Sequence, residues 1–285
     1  MSKVWFITGA GSGIGAGTAR AALRAGDRVI ATGRNLDKVR NAFRDVTSDK
    51  LAFVQLDVAD EARAKAAVEE AVKRFGRIDV MVNNAGYSLL GNFEELTTAD
   101  IERQFATNFW GVVYLVRTVL PVMRKQRSGH IINISSVAGV VGLKHCTAYG
   151  ASKFAVEGLS LSVATEVEQF GIKITVVEPG FFRTDLLDAR NVRWPTNVID
   201  DYAAEGSPEA MWSPYHGTQP GDPDKLGDTL VTIAAMESPP KLFVAGSDAL
   251  EVITPAIEAR LEAMRAHEEL SRSTDRAFKE VEART

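Results

Sequence analysis

The chain has 285 residues, 45% of them hydrophobic and 25% charged, which suffices for one large core and reads as a single domain. A formal net charge of -4 leaves no basic footprint for a polyanion, so nucleic acid is excluded as an expected partner. Cys146 is the single cysteine, so no intrachain disulfide can form, and no apolar run nears the roughly 18 residues of a membrane span; a cytoplasmic protein away from membranes is expected.

Short β-branched runs alternate with segments of helical period from the start to about residue 180. The expected strands are Val4–Thr8, Arg28–Thr32, Leu51–Leu56, Asp79–Val82, His130–Ile134 and Ile172–Val177, with a seventh at Lys241–Ala245. Between them Ile14–Ala25, Leu36–Arg44, Ala62–Phe75, Ala99–Lys125 and Ala148–Phe170 read as helices, with Asp60 and Thr98 as caps. Right-handed crossovers then give an α/β fold: a Rossmann-type, doubly wound parallel sheet of about seven strands with helices on both faces. A catalytic domain of residues 1–250 is expected, followed by a helical extension, 251–285, with Ile253, Ile257, Leu261 and Met264 on one face. The stretch 186–222 reads as irregular and carries Trp194, Tyr202, Trp212 and Tyr215, as a lid or binding loop would.

Directly after the first strand stand Thr8-Gly9-Ala10-Gly11-Ser12-Gly13-Ile14-Gly15, and a helix follows. Such a turn brings backbone N–H groups and a positive dipole end to a pyrophosphate. Asp57-Val58 ends the third strand, Asn83-Asn84-Ala85-Gly86 the fourth, Ser136 follows the fifth, Tyr149-x-x-x-Lys153 opens a helix, and Pro179-Gly180 with Thr184 closes the sixth. In this order and spacing the series closely resembles the short-chain dehydrogenase/reductase family over residues 3–190.

That resemblance implies that Gly9, Ser12, Gly13, Ile14 and Gly15 hold the pyrophosphate of a nicotinamide cofactor. Asp57 and Val58 would contact its adenine, Asn83, Ala85 and Gly86 would border it, and Pro179, Gly180 and Thr184 would flank the nicotinamide. Gly33 stands where NAD-using relatives carry Asp, and Arg34 beside it offers a bidentate fork to a ribose phosphate. NADP(H) is therefore expected, with NAD as the alternative; Lys38 and Arg40 lie close in sequence.

Tyr149 and Lys153, four apart on a helix, share a face. A free phenol has a pKa near 10 and needs nearby positive charge to work at neutral pH, which Lys153 and the oxidised nicotinamide would supply. The family's tetrad is complete: Tyr149 as acid/base, Ser136 holding the reacting oxygen, Lys153 on the nicotinamide ribose, and Asn108 holding a water that links Lys153 to solvent. The expected enzyme is an NADP-dependent oxidoreductase acting on a CH–OH group, moving hydride between the cofactor and a ketone or secondary alcohol.

Trp194, Trp212, Tyr215 and His216 with Leu187, Tyr87, Leu89, Leu90 and Val140 to Leu143 suggest a medium to large hydrophobic substrate. His145 and Cys146 read as pocket wall or packing, and the four histidines show no ligand spacing, so no metal is expected. The resemblance implies a homodimer through the 99–125 and 148–170 helices, or a homotetramer that also uses the seventh strand. Two other readings compete: a redox-sensing NADP(H) regulator without turnover, against which the intact tetrad weighs, and an epimerase or lyase, whose relatives carry a different glycine turn.

Overall fold

The computed structural model describes residues 2–188, 191–204 and 206–276. β1 (Val4–Ile7), β2 (Arg28–Gly33), β3 (Leu51–Gln55), β4 (Val80–Asn83), β5 (Gly129–Ile134), β6 (Ile172–Pro179) and β7 (Leu242–Ala245) form one sheet in the order β3-β2-β1-β4-β5-β6-β7. Every ladder in it is parallel. Strand order reverses between β1 and β4, so a crevice opens at their carboxyl ends, the place where doubly wound sheets bind ligands.

The side chains of each strand alternate between two cores. On one face Trp5, Ile7, Val29, Val80 and Ile132 pack against Ala19 and Ala22 of α1 (Gly13–Arg24) and Val39 of α2 (Leu36–Ala42). On the other, Phe6, Ile30, Met81, Ile131 and Ile174 meet Ala64 and Val68 of α3 (Glu61–Phe75). The expected single helix over 99–125 is two: α4 (Thr98–Phe105) and α5 (Gly111–Gln126), joined by one π turn, Ala106–Trp110. Its cap is Thr97 rather than Thr98, because Thr97 and Asp100 exchange hydrogen bonds in a full capping box. Val112, Leu115, Val116 and Val119 of α5 and Val156 and Ala164 of α6 (Thr147–Val167) complete this second core.

The stretch 186–222 carries two short helices, α7 (Asp200–Ala203) and α8 (Pro208–Trp212). Beyond it lies α9 (Pro223–Ala235), a helix not among those expected although its signals are present in the sequence. Asp222 caps it, Pro223 takes the first turn, and Leu226, Leu230 and Ile233 recur at helical spacing. α9 lies on α1 at backbone distance: a Cβ on Gly17 would stand 2.4 Å from the Pro223 carbonyl oxygen, and one on Gly227 2.5 Å from that of Gly17.

After β7 the chain forms α10 (Ser247–Ala266) and α11 (Glu268–Arg272). Ala249 and Ile253 dock against Val137. Of the expected apolar face only Ile253 is buried; Ile257, Leu261 and Met264 are exposed, since no other described element lies beside the later turns. The polar end expected from Ser271 runs beyond residue 276 and there lies outside the described residues.

Candidate active site

The glycine turn is held open by an interlock between β1 and β4. The Thr8 hydroxyl accepts from the Asn84 N–H (2.8 Å) and the Ala85 N–H (2.9 Å), and Asn84 Nδ2 donates to the Thr8 carbonyl (2.9 Å). Neither Thr8 nor Asn84 stood out from the sequence as more than part of a motif. Gly9 and Gly13 take positive φ, +64 and +54, where a Cβ would be strained. A Cβ on Gly15 would meet Asn84 Nδ2 and the Gly9 carbonyl at 2.5 Å, and one on Gly13 would meet Thr184 Cγ2 at 2.9 Å. The turn, the β4 end and the β6 end thus converge on one crevice. Ser12 precedes α1 with its hydroxyl unused for capping, so the hydroxyl and the first-turn N–H groups of α1 can serve an anion.

Beside this crevice Arg34, Gln55, Asp57 and Arg63 line a cavity of about 220 Å³. Gln55 Nε2 donates to the Arg34 carbonyl at 3.0 Å, and Asp57 Oδ1 accepts from the Ala59 N–H at 3.1 Å. Lys38 turns away to Asp185 (3.5 Å) and Arg40 to Asp37 (3.7 Å). The second cation lining this cavity is Arg63, at the start of α3, whose guanidinium also meets Asp60 at 3.5 Å. A paired guanidinium wall of this kind fits a ribose phosphate. Val58 packs against Gly111 at the adjoining wall, with Thr8, Asn83 and Ala85 nearby.

The catalytic candidates lie on α6 and just past β5. Tyr149 and Lys153 are both buried, and Lys153 Nζ stands 5.7 Å from the phenol ring centre while donating to the Ile134 carbonyl at 2.8 Å. The Ser136 hydroxyl lies beside the phenol. Burial pushes Tyr149 up to about 12, with the Ser136 hydroxyl opposing, and pushes Lys153 down to about 8, with Glu157 opposing. The lowering of Tyr149 expected from Lys153 is therefore not what the protein alone provides: burial dominates, and only the Ser136 hydroxyl opposes it. Ser135, the neighbour of Ser136, faces Glu157 instead, and the Ser136 side chain also caps the following turn by accepting from the Ala138 N–H (3.1 Å).

Asn108 sits in the π turn, whose extra residue re-aims the side chain out of the α4–α5 register. Its Nδ2 donates to the Tyr87 carbonyl (3.1 Å) and the Ser152 hydroxyl (3.4 Å), and its Oδ1 accepts from the Tyr87 N–H (3.2 Å). It thereby fixes the chain after Gly86, where a Cβ would stand 3.1 Å from Asn108 Oδ1. Asn83 does not reach the crevice with its side chain: Nδ2 donates to Asn133 Oδ1 (2.7 Å), and Asn133 in turn donates to Ser160 (2.7 Å). Pro179 ends β6, and Gly180 is pressed against Asp248, whose carboxylate accepts from the Phe181 N–H at 2.6 Å. The Thr184 hydroxyl accepts from the Leu186 N–H at 3.2 Å.

Over Tyr149 lies a packed cluster of Leu90, Ala138, Cys146, Val192 and Trp212, flanked by Leu143, Phe181, Leu187 and Trp194. The 186–222 stretch is thus folded onto the phenol. It is tied down by the Leu90 N–H to the Arg193 carbonyl (3.0 Å), the Arg193 N–H to the Ser88 carbonyl (2.8 Å), and the Ile199 N–H to Glu95 Oε1 (3.0 Å). Burial pushes the Cys146 thiol up to about 12, which suits packing and not nucleophilic chemistry. Other expected pocket walls lie elsewhere: Tyr87 and Leu89 pack with Leu96 and Ala148, Val140 and Val141 with Ala249 and Ile253, and Tyr215 and His216 are exposed.

Comparison with known proteins agrees with this geometry. Residues 3–193 match the family described as short chain dehydrogenase. The chain is 38% identical over 258 residues to an oxidoreductase of Botryotinia fuckeliana, covering 90% of this chain and 94% of that one. It superposes on a crystal structure of a short-chain dehydrogenase from Streptomyces avermitilis with a TM-score of 0.87 at 35% identity, over 97% and 99% of the two chains. On ElxO with NADP bound the TM-score is 0.73 at 30% identity, over 88% and 100%. With the parallel sheet, the glycine turn and the Ser136–Tyr149–Lys153 wall in one crevice, the chain belongs to the short chain dehydrogenase family of oxidoreductases.

Proposed function

We propose that this protein interconverts a ketone and a secondary alcohol with NADP(H), with Tyr149 as the acid/base. The observation that carries the reading is the buried Tyr149 phenol beside the Ser136 hydroxyl, with Lys153 Nζ 5.7 Å from its ring centre, at the wall of a glycine-lined crevice. Gly9, Ser12, Gly13, Ile14 and Gly15 would hold the pyrophosphate and Arg34 with Arg63 the ribose phosphate. Asp57 and Val58 would border the adenine, Ala85 and Gly86 the central crevice, and Pro179, Gly180 and Thr184 the nicotinamide end. The solved relative with NADP bound supports that choice of cofactor. When bound, NADPH supplies the hydride and its oxidised ring a positive charge.

The chain's own groups then do the rest. Ser136 donates to the substrate oxygen and fixes it at the phenol; Tyr149 gives its proton to that oxygen as charge develops. Lys153, kept near neutrality in its pKa by burial, loses and regains a proton more readily than a surface lysine and can restore the phenol proton. Asn108 holds the Tyr87 and Ser152 positions that frame this wall. The 186–222 stretch acts as the lid, whose apolar cluster excludes water from the reacting centre. Trp110, Phe154 and Leu161, exposed on and around α5 and α6, support pairing of two copies through that face.

The test is NADPH oxidation followed by absorbance across a ketone panel, with ligand-induced thermal shifts alongside. Tyr149→Phe should lower turnover by about a hundredfold or more, the range of one general acid, while keeping the NADPH-induced shift. Arg34→Ala should lose the preference for NADPH over NADH. Full turnover in Tyr149→Phe would remove the assigned acid/base.

A further inference from the structure

Trp212 closes the short helix α8 and is 8% exposed, packed in the same cluster as Tyr149, Leu90, Cys146 and Val192. Its ring is held by aromatic neighbours on the outer side: ring centres lie 6.1 Å from Phe181 and 5.9 Å from Tyr215, and Phe181 and Tyr215 stack at 5.0 Å. α8 itself is pinned by the Ser207 hydroxyl, which accepts from the Ala210 N–H at 3.1 Å, with Pro208 in the first turn. The indole is therefore set in place by both its ring contacts and its backbone.

Within this apolar surrounding, Trp212 Nε1 is fully buried and makes no hydrogen bond. Indole N–H is a donor only, and a buried donor without an acceptor bears the whole cost of its desolvation. The chain does not treat its other deeply buried indole in this way. Trp5, wholly inside the sheet core, donates from Nε1 to Asp27 Oδ2 at 2.8 Å. The unpaired indole is the one beside the reactive phenol, on the segment that covers it. Sites whose buried donor is completed only by the ligand discriminate strongly against analogues that lack the acceptor.

We infer that Trp212 is a specificity-determining residue whose indole N–H takes a second hydrogen-bond acceptor of the substrate, so that the preferred substrates are ketones with an ester, amide, hydroxyl or further carbonyl near the reacting one. This rests on the proposed ketone reduction and deepens it. The reacting oxygen is held by Ser136 and Tyr149; the second acceptor is held by the lid. A substrate with both closes the lid on a fully paired site. One with only the carbonyl leaves Trp212 as it stands, buried and unpaired.

The experiment compares ethyl benzoylacetate with phenyl hexyl ketone, an aryl ketone with the same number of heavy atoms but no second acceptor. In wild type kcat/KM should favour the ester, and Trp212→Phe, which keeps a ring and drops the N–H, should lower it by about tenfold for the ester alone. In parallel, the four tryptophan indole N–H resonances are followed by NMR in NADP-saturated, isotope-labelled protein, the Trp212 signal being the one missing in Trp212→Phe. It should move downfield with ethyl benzoylacetate and not with phenyl hexyl ketone. Equal losses on both ketones, no loss on either, or a Trp212 signal indifferent to the ester would overturn the assignment. Should the signal respond while neither ketone is turned over, Trp212 stands as the acceptor site and the ketone reduction falls.

Discussion

Glu157 and His130 are buried ionisable groups whose surroundings favour the neutral form of each, and the two respond to pH in opposite senses. Burial, with Glu178 adding to it and Ser135 and Lys153 opposing, raises Glu157 from 4.5 to about 7. Burial, helped by Lys173 and Lys3, lowers His130 from 6.5 to about 4. The His130 tautomer is set by its partner: Thr175 already donates to the Pro240 carbonyl (2.7 Å), so His130 Nε2 must donate to Thr175 (2.9 Å). A raised carboxyl binds more protons folded than unfolded, so its stabilisation is complete below pH 4.5 and is lost as pH rises through 7. The lowered imidazole stabilises fully above pH 6.5 and loses this as pH falls through 4. Where the windows overlap the effects oppose each other. Glu157→Gln removes only the first, so its thermal midpoint relative to wild type should climb between pH 4.5 and 7; a pH-independent difference would mean that Glu157 is ionised throughout.

At the level of elements, the contact between α1 and α9 is the most exacting, because two glycines replace side chains where the helix backbones touch. A methyl at Gly17 has only the Pro223 carbonyl to push against, and backbone does not yield as a flexible side chain does. Gly17→Ala should destabilise by about 1–3 kcal/mol, the ordinary cost of overpacking, read as a lower denaturant midpoint at unchanged slope. The same contact explains where periodicity fell short. The strands and the helices that follow them carry continuous apolar runs or long amphipathic stripes, whereas α9 begins at a proline directly after the irregular stretch and buries only Leu226, Gly227, Leu230 and Ile233. It reads locally as part of the irregular stretch before it. The π turn was hidden for a different reason: no proline interrupts Ala106–Trp110, so the run reads as one helix with its neighbours, and only the backbone shows the extra residue. Motif spacing made the Ser136, Tyr149 and Lys153 wall legible, since each stands at a fixed distance along one strand or helix. Arg63 and Trp212 reach the site only through tertiary packing, which spacing does not encode.

For the molecule as a whole, the core on the α1 face of the sheet is closed by elements distant in sequence. β7 adds to β6 across the entire 186–222 stretch and α9, and α9 caps the face begun by α1. Residues 3–193 hold the glycine turn and the Ser136–Tyr149–Lys153 wall, while Trp212, α9 and α10 come from the remaining third. The cofactor crevice is thus an affair of the first part of the chain. Trp212, which packs in the cluster around Tyr149, and β7, which fastens the sheet's far edge, belong to the second.

The backbone-to-backbone fit of α9 on α1 has a consequence for the chain's continuity. A peptide bond cut at the exposed Gly206–Ser207 would leave two fragments, one ending in the covering segment and one beginning just before α8. Each fragment carries half of the Gly17–Gly227 seam and one strand of the β6–β7 ladder, so each is the other's missing surface. Protease digestion should give two bands on a denaturing gel that still travel as one particle on size exclusion, and the nicked pair should still be stabilised by NADPH. Separately expressed halves should find each other and restore the crevice, which makes this protein a natural candidate for a split reporter.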